Sequence, residues 1–336
     1  MTHERERTTP VDLCDERRLA PAALGWSRRP MLRANLSRAW GRKKRWDYWC
    51  VITPEVVVSF VYADIDYAGL ANCWILDRTD HAQATAGVLR PFARGLSLPD
   101  QVCTGTSEVA DEALTMHIAE TDDATHLTAS APSSALGPIA IDITVDKPTD
   151  LESLNVVIPW SERRFQCTSK QNTRRATGTV TAGDRSWAVG DTEDFAVQDL
   201  GRGIWPYAIR WNWAAGSGRS SDGRLIGLQF GGKWTEGTGF TENALCVDGR
   251  LTKIGKELEW TYRWDDPMQP WRLRSDDVDL TLTPYFDRYD DTDLKVIKME
   301  VHQCFGTWSG TVRDADGLVH RIDGIDGFAE EARNRW

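Results

Sequence analysis

The sequence predicts an all-β protein, and three observations carry that expectation. Short runs of β-branched and aromatic residues recur from Trp46 onward, each bounded by Gly, Pro, Asn or Asp. No internal segment sustains a helical apolar period over several turns. Tryptophan is abundant, with 16 residues against 5 methionines, and a large, stiff, amphipathic ring suits pleated sheet and aromatic-lined interiors better than helical bundles.

Taken in order, residues 1–25 read as a polar, loosely held lead segment with a short helical turn near 17–23. Strands are expected at 48–52, 56–63, 70–76, 114–119, 127–131, 139–145 and 154–158. The same texture returns at 165–169, 177–181, 204–214, 225–230, 244–247, 258–264, 278–282, 295–305, 307–313 and 318–322. Strands this short and closely spaced, without helical crossovers, predict antiparallel barrels or sandwiches. The run 56–63 (V-V-V-S-F-V-Y-A) is apolar on both faces and is expected to be covered on both sides, where two barrels meet. Asp248-Gly249 and Asp316-Gly317 read as hairpin corners, and 148–150 and 183–185 as further turns. A chain of 336 residues exceeds one ordinary core. Two halves, 26–170 and 171–336, are expected.

Composition excludes several function classes. A net charge of −10 disfavours a general nucleic-acid binder. Segment 38–46 (R-A-W-G-R-K-K-R-W) is the local exception, with five cations interleaved with Trp40 and Trp46; it reads either as an anion site or as a solvated loop before a strand. The 7 cysteines are scattered singly, without metal-ligand spacing, so no metal is expected. Their odd number and the charged start M-T-H-E-R-E-R, without an apolar stretch behind it, predict a cytoplasmic protein. No apolar run approaches the ~18 residues of a membrane helix, so stable membrane insertion is not expected. Signatures of common hydrolases, NTPases, zincins and nicotinamide enzymes are missing from the chain, and no cofactor is called for.

One segment stands out. In 195–218 (F-A-V-Q-D-L-G-R-G-I-W-P-Y-A-I-R-W-N-W-A-A-G-S-G), Trp205, Tyr207, Ile209, Trp211 and Trp213 alternate with Pro206, Ala208, Arg210 and Asn212. A strand would put the large rings on one face and Arg210 and Asn212 on the other. Pro206 cannot donate to a ladder and marks an edge, a bulge or a pocket rim. Gly201 and Gly203 flank Arg202 and permit a tight backbone path. Two readings fit this pattern. One is a ligand cavity with aromatic walls and a polar set of Asp199, Arg202, Tyr207, Arg210 and Asn212, joined by Glu242 and Asn243. The other is a structural ion pair, Asp199 with Arg202, beside an ordinary aromatic core.

Other candidates have quieter alternatives. Asp64 and Asp66 suit an acid/base or metal pair, yet a D-x-D commonly closes a strand. Asp287, Asp290, Asp291 and Asp293 lack the spacing and the glycine of a calcium loop and read as a solvated loop. His302 and His320 fit a general base or a satisfied structural role.

The strings G-W-S-R-R-P, R-W-D-Y-W, D-L-G-R-G-I-W-P-Y-A-I-R-W-N-W, T-E-N-A, F-G-T-W-S-G and G-F-A-E-E, spread from Gly25 to Glu331, resemble a bacterial family known as a domain of unknown function, DUF2804. More distantly, the order G-T-V, G-D-R, V-G, an acid, then W-x-W is similar to tandem lipocalin-like proteins that include carotenoid hydratases, AttH-like proteins and natural-product cyclases. The resemblance implies two lipocalin-like antiparallel β-barrels in tandem and an apolar, isoprenoid or polyketide-like ligand. Such hydratases carry an Asp-His pair before an aromatic strand, whereas here Leu200 follows Asp199.

The expectation is therefore a barrel that binds an apolar or amphipathic small molecule and acts on it by hydration, isomerisation or cyclisation. Asp199 or Glu242 would be acid or base. Arg202 and Arg210 would anchor a carbonyl or carboxylate, with Trp205, Tyr207, Trp211 and Trp213 shaping the pocket and Asn212 and Asn243 lining it. A non-catalytic carrier, and a sugar binder with exposed tryptophan platforms, are the alternatives.

Overall fold

The computed structural model describes residues 2–36, 39–293 and 297–336. Arg38 of the basic segment and the first residues of the strand expected at 295–305 lie outside the described residues. The fold is almost wholly β, with one 3-10 turn at Pro21–Ala23 inside the interval where a turn is expected.

Two large sheets carry the chain, and every pairing within them is antiparallel. The first runs from Thr106–Ala110 through Thr115–Glu120, Ala124–Ala131, Ile139–Asp146, Arg164–Ala182, Phe195–Ile204, Lys43–Ile52, Val56–Asp64 and Ala68–Asp77 to Gln83–Pro91. The second runs from Arg250–Ile254 through Asn243–Val247, Leu225–Gly232, Ala208–Arg219, Val319–Arg335, Lys298–Arg313, Val278–Asp293 and Trp271–Arg274 to Glu259–Thr261. Each curls into a half-barrel around its own core, one built on Trp49, Phe60 and Ile143, the other on Phe230, Trp271 and Trp308.

The strands expected at 165–169 and 177–181 are one continuous strand, Arg164–Ala182. The intervening S-K-Q-N-T-R-R is polar and reads as a loop, but its side chains are nearly all buried. A register shift between Gln171 and Arg174, with Thr173 at φ 59°, absorbs the bend. Arg174 then sits over the Trp49 ring and donates to the Asp146 carbonyl at 2.7 Å.

This strand lies wholly in the first sheet, so the chain changes sheets well beyond residue 170. It does so at Trp205-Pro206-Tyr207, between Ile204 and Ala208. Pro206 has no N–H to leave unpaired at that crossing. The Val56–Asp64 strand is covered on both sides, as its composition predicts. Val58, Phe60 and Tyr62 enter the first core. Val57 joins Cys50, Trp74, Leu76 and Val197 against Trp213, Phe305 and Phe328 of the second sheet.

The lead segment is packed, not loose. Leu13, Leu19, Ala20 and Ala23 cover Val157, Phe165 and Ile204. Further up, the Glu4 carboxylate lies 2.6 Å from the Lys253 ammonium, with both side chains shut off from solvent. It also accepts hydrogen bonds from the Thr241 amide and hydroxyl. Residues 2–25 thus touch both halves, because a few apolar side chains and one buried acid find partners that a count of charges does not reveal.

Candidate functional site

Side chains alternate across a strand, so residues 199, 201 and 203 face one way and 200 and 202 the other. The odd face of Phe195–Ile204 looks onto the seam between the sheets. There Lys170 is the cross-strand neighbour of Asp199, and Tyr48 its neighbour on the other side. Gly201 stands opposite Trp46, and a methyl at Gly201 would come within 2.3 Å of the indole. The glycine therefore lets the ring lie flat against the strand and donate to Asp199 at 3.0 Å.

A buried ionic cluster results. The Lys170 ammonium is 3.0 Å from Asp199 and 3.2 Å from Glu242, and it lies 4.0 Å from the centre of the Trp213 ring. Asp199 also accepts from the Thr168 hydroxyl at 2.9 Å. Glu330 enters the same field from the Val319–Arg335 strand, where it pairs in register with Trp213. Its two oxygens accept from the Trp211 indole at 2.8 Å and the Gln303 amide at 2.9 Å. Gln303 and the Tyr48 hydroxyl are hydrogen-bonded in turn.

Electrostatics follow from that burial. Loss of water raises Glu242 to about 7, despite Lys170 pulling the other way. Burial likewise raises Glu330 to about 7, against the Trp211 and Gln303 donors and Lys170. Burial also works against the charge on Lys170, but Asp199 and Glu242 outweigh it and hold its pKa above the ordinary lysine value. The seam therefore contains a fixed cation beside two carboxyl groups that can hold or release a proton near neutrality.

Tryptophans wall the cluster. Trp205 stacks on Trp234 with centroids 5.8 Å apart and meets Trp46, Trp160, Trp211 and Trp336 edge-on. The Trp234 indole donates to Glu242 at 3.3 Å.

The sequence expectations distribute unevenly over this geometry. Asp199, Glu242, Trp205, Trp211 and Trp213 come together at the seam. Arg202 does not: three residues from Asp199, it faces the opposite side and pairs with Asp47 at 2.8 Å. The expected Asp199–Arg202 ion pair is replaced by Asp199–Lys170 and Arg202–Asp47. The unbroken aromatic strand is also revised, since the strand begins at Ala208. Tyr207 is 43% exposed, with Arg42 over its ring. Arg210 is exposed. Asn212 points into the second half-barrel, donating to the Tyr262 hydroxyl and the Glu330 carbonyl, both at 3.0 Å. Asn243 ties the Gly231 amide to the Lys256 carbonyl. A sugar platform finds no support here, because Trp205 and Trp213 are only 2% and 4% exposed.

Lys170, Glu330, Tyr48, Gln303 and Trp234 escape the sequence reading as site residues, and Trp46 enters it only within the basic segment 38–46. Glu330 had a signal: the acid pair in G-F-A-E-E-A interrupts an apolar strand.

The remaining candidates have structural partners. Asp66 accepts from the Gly41 amide and pairs with Lys43 at 3.0 Å, and Asp64 pairs with Arg45, so the D-x-D neutralises the basic segment. His302 pairs with Asp287 and His320 with Asp314, at 2.8 and 2.7 Å. No cluster of metal-ligating side chains occurs among the described residues. No helix of the described residues is long and apolar enough to cross a membrane.

Comparison with known proteins agrees with this architecture. The chain belongs to the family described as Domain of unknown function (DUF2804), whose model matches residues 4–336. No curated protein matches it in sequence. Among solved structures it is similar to CghA, with 11% identity over 89% of this chain and 90% of that one, at a TM-score of 0.53. A putative AttH from Nitrosomonas europaea gives 12% identity over 87% and 92%, at 0.51. Kievitone hydratase from Nectria haematococca gives 12% over 87% and 88%, at 0.49. The likeness establishes the fold, two lipocalin-like half-barrels in tandem.

Proposed function

We propose that the protein binds an apolar or amphipathic small molecule at the seam between its half-barrels and moves a proton on it, with Glu330 and Glu242 as the acid/base pair. The observation that carries this reading is the cluster itself: two buried carboxyl groups raised to about 7 beside one buried ammonium, walled by tryptophan. A carboxyl group at that pKa can donate to an alkene or carbonyl and take the proton back without leaving the physiological range. Indole faces favour positive charge developing on the bound molecule. Asp199 holds Lys170 in place and sets the field in which the other two titrate. Hydration, isomerisation and cyclisation of an isoprenoid or polyketide-like skeleton all fit such a proton transfer.

The test begins with protein purified from its own host, by native mass spectrometry and solvent extraction of what it retains. The extracted molecule is then incubated with enzyme in deuterated buffer. Wild-type protein is expected to introduce deuterium into it, while Glu330→Gln and Glu242→Gln bind it and leave it unlabelled. A molecule that is retained but never labelled by the wild type overturns the proton-transfer reading and leaves a carrier.

A further inference from the structure

The seam face of the second sheet can be read row by row from its register. Ile209, Asn334 and Met299 form one row; Trp211, Ala332 and Val301 the next; Trp213, Glu330 and Gln303 the third. Glu330 and Asn334 thus share a face of one strand, four residues or roughly 13 Å apart, with only Ala332 between them on that face. Ile209 and Met299, the neighbours of Asn334, belong to the tryptophan cluster formed by Trp46, Trp205, Trp211 and Trp336.

Asn334 is 5% exposed, yet neither its amide nitrogen nor its amide oxygen has a hydrogen-bond partner among the described residues. Two further donors of the same cluster are buried and unpartnered, the Trp336 indole N–H and the Gln166 amide, which lies beside Gly201 and Trp46. A carboxamide buried with both ends unmet costs stability, and a bound group that meets both ends would offset that cost.

We propose that Asn334 is the head-group anchor of the seam site, and that its ligand carries a neutral donor–acceptor pair: a primary amide, a lactam or a protonated carboxylic acid. The pair is self-complementary to a carboxamide: its N–H or O–H donates to the Asn334 oxygen, and its carbonyl accepts from the Asn334 nitrogen. An ionised carboxylate offers no donor to Asn334 Oδ1 and leaves that oxygen unmet, so it is selected against. The apolar body of the ligand then runs along the Trp211 flank toward Glu330. This rests on the seam reading above for the location of the site, and not on the proton transfer.

The probes are decanamide, N,N-dimethyldecanamide, which keeps the acceptor and lacks the donor, and decanoate, each titrated into the full-length protein by calorimetry. Wild type is expected to bind decanamide at least about tenfold more tightly than either of the others. Asn334→Leu, which removes both donor and acceptor, should erase that preference. Because Asn334 has no hydrogen-bond partner among the described residues, Asn334→Leu should also unfold at an equal or higher temperature than wild type. Equal affinity of wild type for decanamide and its dimethyl analogue, or no binding of either, overturns the anchor. A preference that survives Asn334→Leu, or a marked loss of stability in that variant, does the same. Glu330→Gln separates the two ideas, since the head-group preference should persist in it even if labelling of the native ligand shows that no proton is transferred.

Discussion

Lys170 stands directly opposite Asp199 on neighbouring strands, 3.0 Å from ammonium to carboxylate, and its ammonium also lies 3.2 Å from Glu242. Two half-barrels could meet on apolar surface alone, as they do around Phe305 and Phe328. Placing this cluster beside that apolar contact is costly, because each buried charge must be repaid by its partners.

Removing the cation should therefore be severe. Lys170→Met leaves Asp199, Glu242 and Glu330 facing one another, and a buried pair broken from one side loses about 3–5 kcal/mol. Urea unfolding at neutral pH measures it. The double variant Lys170→Met, Asp199→Leu should recover part of the loss, because it removes the stranded charge as well. A single variant within about 0.5 kcal/mol of wild type would show that the cluster is solvated and not buried.

The raised carboxyl groups fix the sign of a pH dependence. Glu330 titrates near 7 in the folded protein against 4.5 as its ordinary value, so the folded state binds the proton more tightly. Its contribution is fully present below about 4.5 and is lost as pH rises through about 7. For Glu330 alone this amounts to about 3 kcal/mol across that window. Wild-type stability, measured by denaturant titration between those limits, should carry this falling component, and the Glu330→Gln curve should be flatter by that amount. Parallel curves would mean that Glu330 is not held protonated by the fold.

Much of this was legible in the chain, and the misses share one cause. The all-β class and the hairpin at Asp248-Gly249 follow from local pattern, and the turn adopts positive φ at both residues, 47° and 83°. So does the two-sided burial of Val56–Asp64. Asp199 is legible as a charge inside an apolar stretch, and Glu242 as its companion from the T-G-F-T-E-N segment. Nearness in sequence offers Arg202 as one partner for Asp199, but strand alternation sends the two residues to opposite faces. Lys170 is hidden by what hides the middle of the Arg164–Ala182 strand, between the expected runs 165–169 and 177–181: a polar stretch resembles a loop until another sheet buries it. Glu330 and Asn334 lie at the far end of the chain, and only the register of Val319–Arg335 against Ala208–Arg219 brings them to the seam.

Gly201 offers the most direct test of how the site is assembled. Its backbone is ordinary strand, so its need for glycine comes from contact and not from a left-handed conformation. A methyl there would meet the Trp46 indole at 2.3 Å and the Gln166 amide at 2.4 Å. Trp46 must then tilt away, breaking its bond to Asp199 and disturbing the stack around Trp205. Gly201→Ala should cost about 1–3 kcal/mol, as overpacking of a filled core does, and should shift tryptophan emission. If the indole is the obstacle, Trp46→Leu in the same chain makes room for the methyl, and the double variant should be more stable than the sum of the two losses implies. Strict additivity would mean that the Gln166 side chain, and not the indole, blocks the methyl, and that Trp46 reaches Asp199 independently of Gly201.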